Sequence, residues 1–241
     1  MRLAIISDIH GNLEAFKEVL ADIEKSRVNE IISLGDNVGY GPEPEPIVQL
    51  LHDRRIPSVM GNHELALTVS GYYKKINPSA KKSIDLTRKL ITPATLQFCT
   101  SLPKAMIRQD SLCVHGSPPD SVTRYLFEPD QDAIKLLFRA FHEPICFFGH
   151  THLLKLYSYD QDICKKEPLP EGVTALEPRK RYLVNAGSVG QPRDDNNQAK
   201  YLIWDKAAKT LEVRFIPYNI RITAEKILEL GFPEYNAVRL Y

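Results

Sequence analysis

Long apolar runs are missing from this chain. Its cleanest, Leu3–Ile6 and Ile145–Phe148, are four residues each, far short of the roughly 18 that a spanning helix requires. Excess charge is missing too: 31 Lys and Arg against 30 Asp and Glu leave a formal net charge of +1. No global field therefore drives the protein onto nucleic acid or an anionic membrane. Cysteine is sparse, and Cys99, Cys113, Cys146 and Cys164 sit among apolar neighbours without C-x-x-C spacing. That pattern suits buried reduced thiols better than a disulfide framework or a zinc site. The stretch before Ser7 and Asp8 is too short for a signal peptide, so a cytoplasmic protein is expected. Internal repeats and low-complexity tracts are absent as well, which leaves one domain over residues 1–241 as the expectation. With 241 residues, 43% of them hydrophobic, the chain can bury a full core unaided.

What is present is unevenly distributed. Of seven histidines, His10, His63, His115, His150 and His152 fall in short polar segments directly after apolar runs, whereas His52 and His142 lie late in predicted helices. Nine of the twelve glycines flank the same polar segments, where tight turns let backbone approach a ligand. The two distributions mark one site.

The hydrophobic periodicity places these segments. Arg2 to Ser7 reads as a strand, and Leu13, Phe16, Val19, Leu20 and Ile23 recur at helical spacing. Glu30 to Leu34, Glu45 to Arg54 and Pro57 to Met60 continue the alternation as strand, helix and strand, which predicts a parallel sheet with right-handed crossovers. A helical insert is expected over about residues 65–103, with helices at Ser79 to Leu90 and Ala94 to Leu102. Two strands follow, Ala105 to Arg108 and Ser111 to His115, then a loop, a helix from Gln131 to His142, and a central strand from Pro144 to Phe148. Leu154 to Tyr159, Arg181 to Asn185, Tyr201 to Asp205 and Leu211 to Ile216 read as a second, largely antiparallel sheet. A last helix, Ala224 to Leu230, stops at Gly231.

Five polar segments then stand at strand ends: Asp8-Ile9-His10-Gly11-Asn12, Gly35-Asp36-Asn37, Gly61-Asn62-His63-Glu64, Val114-His115-Gly116 and Gly149-His150-Thr151-His152. In an open α/β sheet such ends line one crevice. Two carboxylates, an amide oxygen and at least four imidazoles, with no thiolate, make a donor set for divalent metals. The number of donors suits two ions about 3.5–4 Å apart. Taken singly, each histidine could be a hydrogen-bonded structural residue, Asp36 a turn cap and Asn62 a helix cap. Only a shared site explains why all of them adjoin one another.

In order, these segments form the scattered signature D-x-H, G-D, G-N-H, H and G-H-x-H, and the chain resembles the calcineurin-like metallophosphoesterases over most of its length. Together with Val38-Gly39-Tyr40-Gly41-Pro42 and Asn185-Ala186-Gly187-Ser188-Val189-Gly190, they are similar to a small bacterial and archaeal branch that includes some diadenosine polyphosphate hydrolases. The resemblance implies a four-layer α-β-β-α sandwich with a helical insert. It implies that Asp8, His10 and His152 hold one metal, that Asn62, His115 and His150 hold another, and that Asp36 bridges them. His63 would be catalytic and not a ligand, binding a phosphoryl oxygen or assisting the leaving group. Two cations would neutralise the phosphoryl oxygens and lower the pKa of a shared water toward about 7, yielding the hydroxide that attacks phosphorus. Mn²⁺ is the leading expectation, with Fe, Zn²⁺, Ni²⁺ and Mg²⁺ compatible with the same donors.

One departure bears on substrate. The protein serine/threonine phosphatases read G-D-x-V-D-R-G where this chain has Gly35-Asp36-Asn37-Val38-Gly39-Tyr40-Gly41, so neither their aspartate nor their phosphate-gripping arginine is present. Another anion clamp is needed, and Arg193 is the first candidate and Arg124 the second, because guanidinium binds phosphate bidentately. Asn12 and Tyr40 complete the expected substrate contacts. Tyr40, Tyr72, Tyr73 and Tyr125 could stack a nucleobase, although packing is the simpler reading. Lys74, Lys75, Lys81, Lys82, Arg88 and Lys89 could steer a polyanion, although a solvated helical face is simpler. The leading expectation is hydrolysis of a phosphate ester or anhydride in a small molecule, with a dinucleoside polyphosphate as the preferred nucleotide. The competing readings are a broad phosphodiesterase or phosphomonoesterase, and a non-catalytic scaffold on the same fold. A membrane or nucleic-acid partner is not expected, and the sequence is silent on oligomeric state.

Overall fold

The computed structural model describes residues 1–194 and 196–241. In chain order its elements are β1 (Arg2–Ile6), α1 (Leu13–Lys25), β2 (Glu30–Ser33), α2 (Pro44–Asp53), α3 (Asn62–Thr68), α4 (Ser70–Tyr73), α5 (Pro78–Leu90) and α6 (Pro93–Ser101). Then come β3 (Ala105–Arg108), β4 (Ser111–Val114), α7 (Gln131–Arg139), β5 (Ile145–Phe148), β6 (Leu154–Asp160), β7 (Ile163–Glu167) and β8 (Gly172–Ala175). The chain closes with β9 (Arg181–Ala186), β10 (Ala199–Asp205), β11 (Thr210–Ile216), α8 (Ile220–Glu229) and α9 (Glu234–Val238).

Two sheets face each other, ordered β2-β1-β10-β11-β8 and β3-β4-β5-β9-β6-β7. Side chains alternate across a strand, and β1 displays the consequence. Leu3 and Ile5 point into the space between the sheets and pack with Phe147, Val184, Leu202 and Trp204. Ala4 and Ile6 point outward against Phe16, Val19 and Leu20 of α1. On the other side Val114, Phe148 and Leu183 receive Ile134, Leu137 and Phe138 of α7. This is the four-layer α-β-β-α sandwich. Helix starts follow their capping chemistry: the Asn77 and Thr92 side chains accept from the amides of Ala80 and Thr95, each with proline at the start of the helix it caps.

Three expectations need correction. The C-terminal strands do not form a sheet of their own. β10 pairs with β1, Ile5 opposite Leu202, and carries β11 on its far edge, while β9 pairs parallel with β5 and carries β6 antiparallel on its far edge; alternation within a strand cannot say which edge it will pair with. Pro57 to Met60 is not a strand but a single bridge, Ser33 with Ser58, because the Met60 amide turns away to the Pro103 carbonyl at 2.7 Å. α7 ends at Arg139 instead of His142, and the Arg181 guanidinium collects the carbonyls of Phe138 and Phe141 where the helix stops. β7, β8, α4 and α9 were not read from the sequence. The expected insert starts earlier, as α3 at Asn62, and α3 to α6 pack through Ala66, Leu67, Ile84 and Cys99 against Val38 and Val48. All four cysteines are buried and free.

Candidate metal centre

The loops leaving β1, β2, β4 and β5, with the first turn of α3, converge at the carboxyl ends of the central strands. Their backbones interlock: the Asp8 amide donates to Gly35 O, His10 to Asp36 O, Gly11 to Asn37 O and Gly149 to His115 O, at 2.9 to 3.0 Å. The interlock holds an uncommon backbone. Asp8, His10, Asp36, Tyr40, His150 and His152 all have positive φ, between 48° and 67°, a left-handed region that costs about 1–3 kcal/mol for a side-chain-bearing residue. Such strain persists only where surrounding structure over-determines it, and here it aims side chains inward.

Four imidazoles meet the carboxylates with fixed tautomers. Nδ1 of His10, His115 and His152 faces the carbonyl of Val38, Leu34 and Gln191 at 3.2, 2.9 and 2.5 Å. His150 is reversed, its Nε2 facing Thr123 O at 3.3 Å. In a neutral ring the nitrogen facing a carbonyl carries the hydrogen, so the other presents a lone pair. Those lone pairs crowd each other: His10 Nε2 lies 3.1 Å from His152 Nε2, and His115 Nε2 lies 3.1 Å from His150 Nδ1 and 3.0 Å from Asn62 Oδ1. Asp8 Oδ2 is held by Ser7 Oγ and the His150 amide, whereas Asp8 Oδ1 is fully buried with no hydrogen-bond partner, 3.2 Å from His152 Nε2. Asp36 Oδ1 accepts from the His63 amide at 2.8 Å. Its Oδ2 lies between the two sets, 3.6 Å from His10 Nε2 and 3.2 Å from His115 Nε2. An orphaned carboxylate oxygen amid opposed lone pairs fits a cation.

The charges agree. Burial opposes ionisation of Asp8 and Asp36, but His152 and His10 around the first and His115 and His63 around the second outweigh it and hold both carboxyls well below the usual range. Burial pushes His150 and His63 down to about 3 and, with Arg193 nearby, His152 to about 4. Burial acts on His115 in the same sense, but Asp36 overrides it and raises the ring to about 9. Ionised Asp8 and Asp36 beside neutral His150 and His152 are in the protonation states in which such groups bind a metal, and His115 must give up a proton to join them. Three trios have ligand atoms within 4.8 Å of one another: Asp8-His10-His152, His10-Asp36-His63 and Asp36-His115-His150.

His63 stands at the lip. Its ring is edge-on to Tyr40 and His10, with centroids 4.3 and 4.7 Å away, and its buried Nδ1 has no partner. It fits only because residue 39 is glycine: at Gly39 (φ +82°) a Cβ would come within 1.9 Å of that Nδ1.

The expected substrate contacts divide. The Asn12 side chain is engaged within the protein. It is buried, its amide donates to Gly190 O, and its oxygen accepts from the Ala15 amide and Thr223 Oγ1. The Gly187 to Gly190 turn is likewise committed, Val189 and Gly190 donating to Ser7 O and Asp8 O. Arg124 is exposed on the loop before α7. Arg193 is half-buried beside the basin, its amide facing His152 O and its guanidinium bonded to Gln191 Oε1 at 3.0 Å.

Several residues escaped sequence reasoning. Glu64, fully buried, accepts from the amides of Asp36, Asn37 and Gly61 and from the Asn37 side chain, pinning the β2 loop to α3. The spacing Gly61-x-x-Glu64 of a capping box was the available signal. Asn185 fixes the β5 loop through Gly149 O and Thr151 Oγ1. Arg239 of α9 shares Gln191 Oε1 with Arg193 at 3.4 Å, and nothing local in the sequence points to it.

Comparison with known proteins agrees with this geometry. Residues 1–209 match the calcineurin-like phosphoesterase superfamily domain. The chain is 35% identical over 246 aligned residues to the protein MJ0912 of Methanocaldococcus jannaschii, covering 99% of this chain and 97% of that one. A crystal structure of a metallophosphoesterase from Sphaerobacter thermophilus is 36% identical, with a TM-score of 0.86 over 100% of this chain and 98% of its own. The protein PH1004 of Pyrococcus horikoshii OT3 shares the fold at 16% identity, with a TM-score of 0.83 over 100% and 97% of the two chains.

Proposed function

Because the chain belongs to the calcineurin-like phosphoesterase superfamily, a family of metal-dependent phosphoesterases, we propose that it hydrolyses phosphate esters or anhydrides of small molecules at a two-metal centre, with nucleotides, such as a dinucleoside polyphosphate, as the preferred class. Asp8, His10 and His152 would hold one divalent ion and Asn62, His115 and His150 the other, with Asp36 between the two sets. The observation that carries this reading is the position of Asp36 Oδ2, between His10 and His115 at 3.6 and 3.2 Å. Bound there, divalent ions supply charge neutralisation at the phosphoryl oxygens and an acidified water.

The chain's own residues do the rest. Asn62 contributes a neutral oxygen, which leaves the centre more positive than a third carboxylate would. His63 is kept for substrate, because its ring borders both the basin and the open cavity beside it, and it donates to a phosphoryl or departing oxygen. Arg193 binds a non-bridging phosphate oxygen, and the backbone carbonyls of Val38, Leu34, Gln191 and Thr123 keep the four rings from turning. Intact ligand positions and the unpartnered Asp8 Oδ1 favour an active enzyme over a scaffold.

The test is to load the protein with Mn²⁺ and assay a phosphomonoester, a phosphodiester and dinucleoside polyphosphates, identifying products by chromatography. Turnover with nucleotide preference is expected, together with an about 5–10 °C rise in melting temperature at 100 times the metal dissociation constant. Asp36→Asn should abolish both. Metal binding without turnover on any of these substrates would overturn the hydrolase reading in favour of a scaffold.

A further inference from the structure

Beside the basin, on the side of α3 to α5, lies a cavity of about 200 Å³. A closed cavity of about 150 Å³ already admits benzene, so this one takes a single ring system and excludes a folded protein partner. Its lining includes the polar Asn62 and His63 and the apolar Ala66, Ile76, Ala80 and Ile84. Tyr40, Tyr72 and Tyr125 supply aromatic surface, and the exposed Lys75 and Asn77 complete the lining. Tyr125 is 45% exposed although it stacks on His150 at 3.5 Å. Phe127, 50% exposed, lies parallel to it at 5.1 Å. Exposed aromatic faces next to a polar catalytic basin are surfaces on which flat rings stack.

We propose that this cavity receives the leaving group of the substrate, and that this group is a flat heteroaromatic ring on a primary alcohol, as in a nucleoside. The inference rests on the hydrolase reading above and adds direction to it. In-line displacement places the attacking and departing oxygens on opposite sides of phosphorus. Water contributes the new P–O bond, the bond from phosphorus to the alcohol oxygen breaks, and that oxygen ends with a proton, giving free alcohol and phosphate. Of the two roles given to His63, the one at the departing oxygen is taken here, and because His63 also lines the cavity, whatever that oxygen carries lies among the tyrosines. The retained phosphoryl group then faces the side of Arg193 and Arg239. Ring faces pack against Tyr72, Tyr125 and the isoleucines, and Lys75 donates to acceptor atoms at the ring edge.

The test compares adenosine 5′-phosphate with glycerol 1-phosphate, and their methyl diesters with each other, on the Mn²⁺-loaded full chain; each pair breaks the same kind of bond. The expected preference in kcat/KM is at least tenfold for the adenosine member. Ala80→Leu, which fills the cavity, and Tyr72→Ala, which removes a stacking face, should each cut that preference about tenfold. Calorimetry supplies a readout independent of turnover: free adenosine should bind the wild-type protein and bind at least tenfold more weakly to both variants. Hydrolysis without preference, with no adenosine binding, overturns this inference and leaves the hydrolase reading standing. No hydrolysis of any of the four esters overturns this inference, and the hydrolase reading falls with it only where the dinucleoside polyphosphates are left intact as well.

Discussion

The loops after β1, β2 and β5 carry their functional side chains on left-handed backbone, with nearly every polar atom assigned a partner, while the segment from α3 to α5 is ordinary helix and turn that brings alanine, isoleucine and tyrosine to the neighbouring cavity. In the first region position is everything. His10 Nε2 is aimed by a carbonyl behind its ring, by a backbone bond to Asp36 O, and by a φ of 48° that few residues adopt. In the second region shape and surface chemistry matter, and a changed side chain alters volume without moving the frame. On the proposed function, the chemistry belongs to the strand-end loops and the selectivity to the helical segment beside them.

Three changes would break or sharpen this contrast. His63→Ala alters the residue common to both regions and should lower kcat by about 10²–10⁴-fold while the metal content, measured by atomic emission, stays at the wild-type level; an unchanged rate removes His63 from the reaction. Glu64→Gln sits behind the basin and touches no substrate. It replaces a carboxylate that accepts four N–H groups with an amide that must turn two donors toward them, and metal affinity should fall about 10–100-fold. Calorimetric Mn²⁺ titration checks this, and restoration of turnover at high Mn²⁺ separates a positioning role from a catalytic one. The smallest effect belongs to the outer face of the insert. Lys82→Glu combined with Lys89→Glu should change kcat/KM for an anionic nucleotide by about threefold at most, and only at low salt, because exposed charges beyond a Debye length are screened. A larger, salt-independent loss would mean that the insert's surface, and not its cavity, meets the substrate.

Much of the basin was legible because its residue types are rare together. Asp8, His10, Asp36, Asn62, His63, His115, His150 and His152 follow apolar runs or glycines, and a chain has few reasons to bring so many metal-binding groups to strand ends. The structure brings all eight together. What stayed illegible was the support. Glu64 offers only its spacing from Gly61, which does not show that its oxygens also take the amides of Asp36 and Asn37, and Arg239 lies 46 positions after the Arg193 it accompanies. Asn12 stands in the first motif as an expected substrate contact, and only the structure shows its side chain capping α1 and tying down α8.

The sequence by itself determined the α/β layering and the donor set, since strand and helix periods and residue chemistry are local properties written in the order of residues. The tertiary structure alone decided which strand edges meet, which nitrogen of each ring faces inward, and that Tyr72, Tyr125 and Lys75 border the same cavity as His63. These depend on pairings between residues far apart in the chain, whose energies arise only once both partners are buried in the same place.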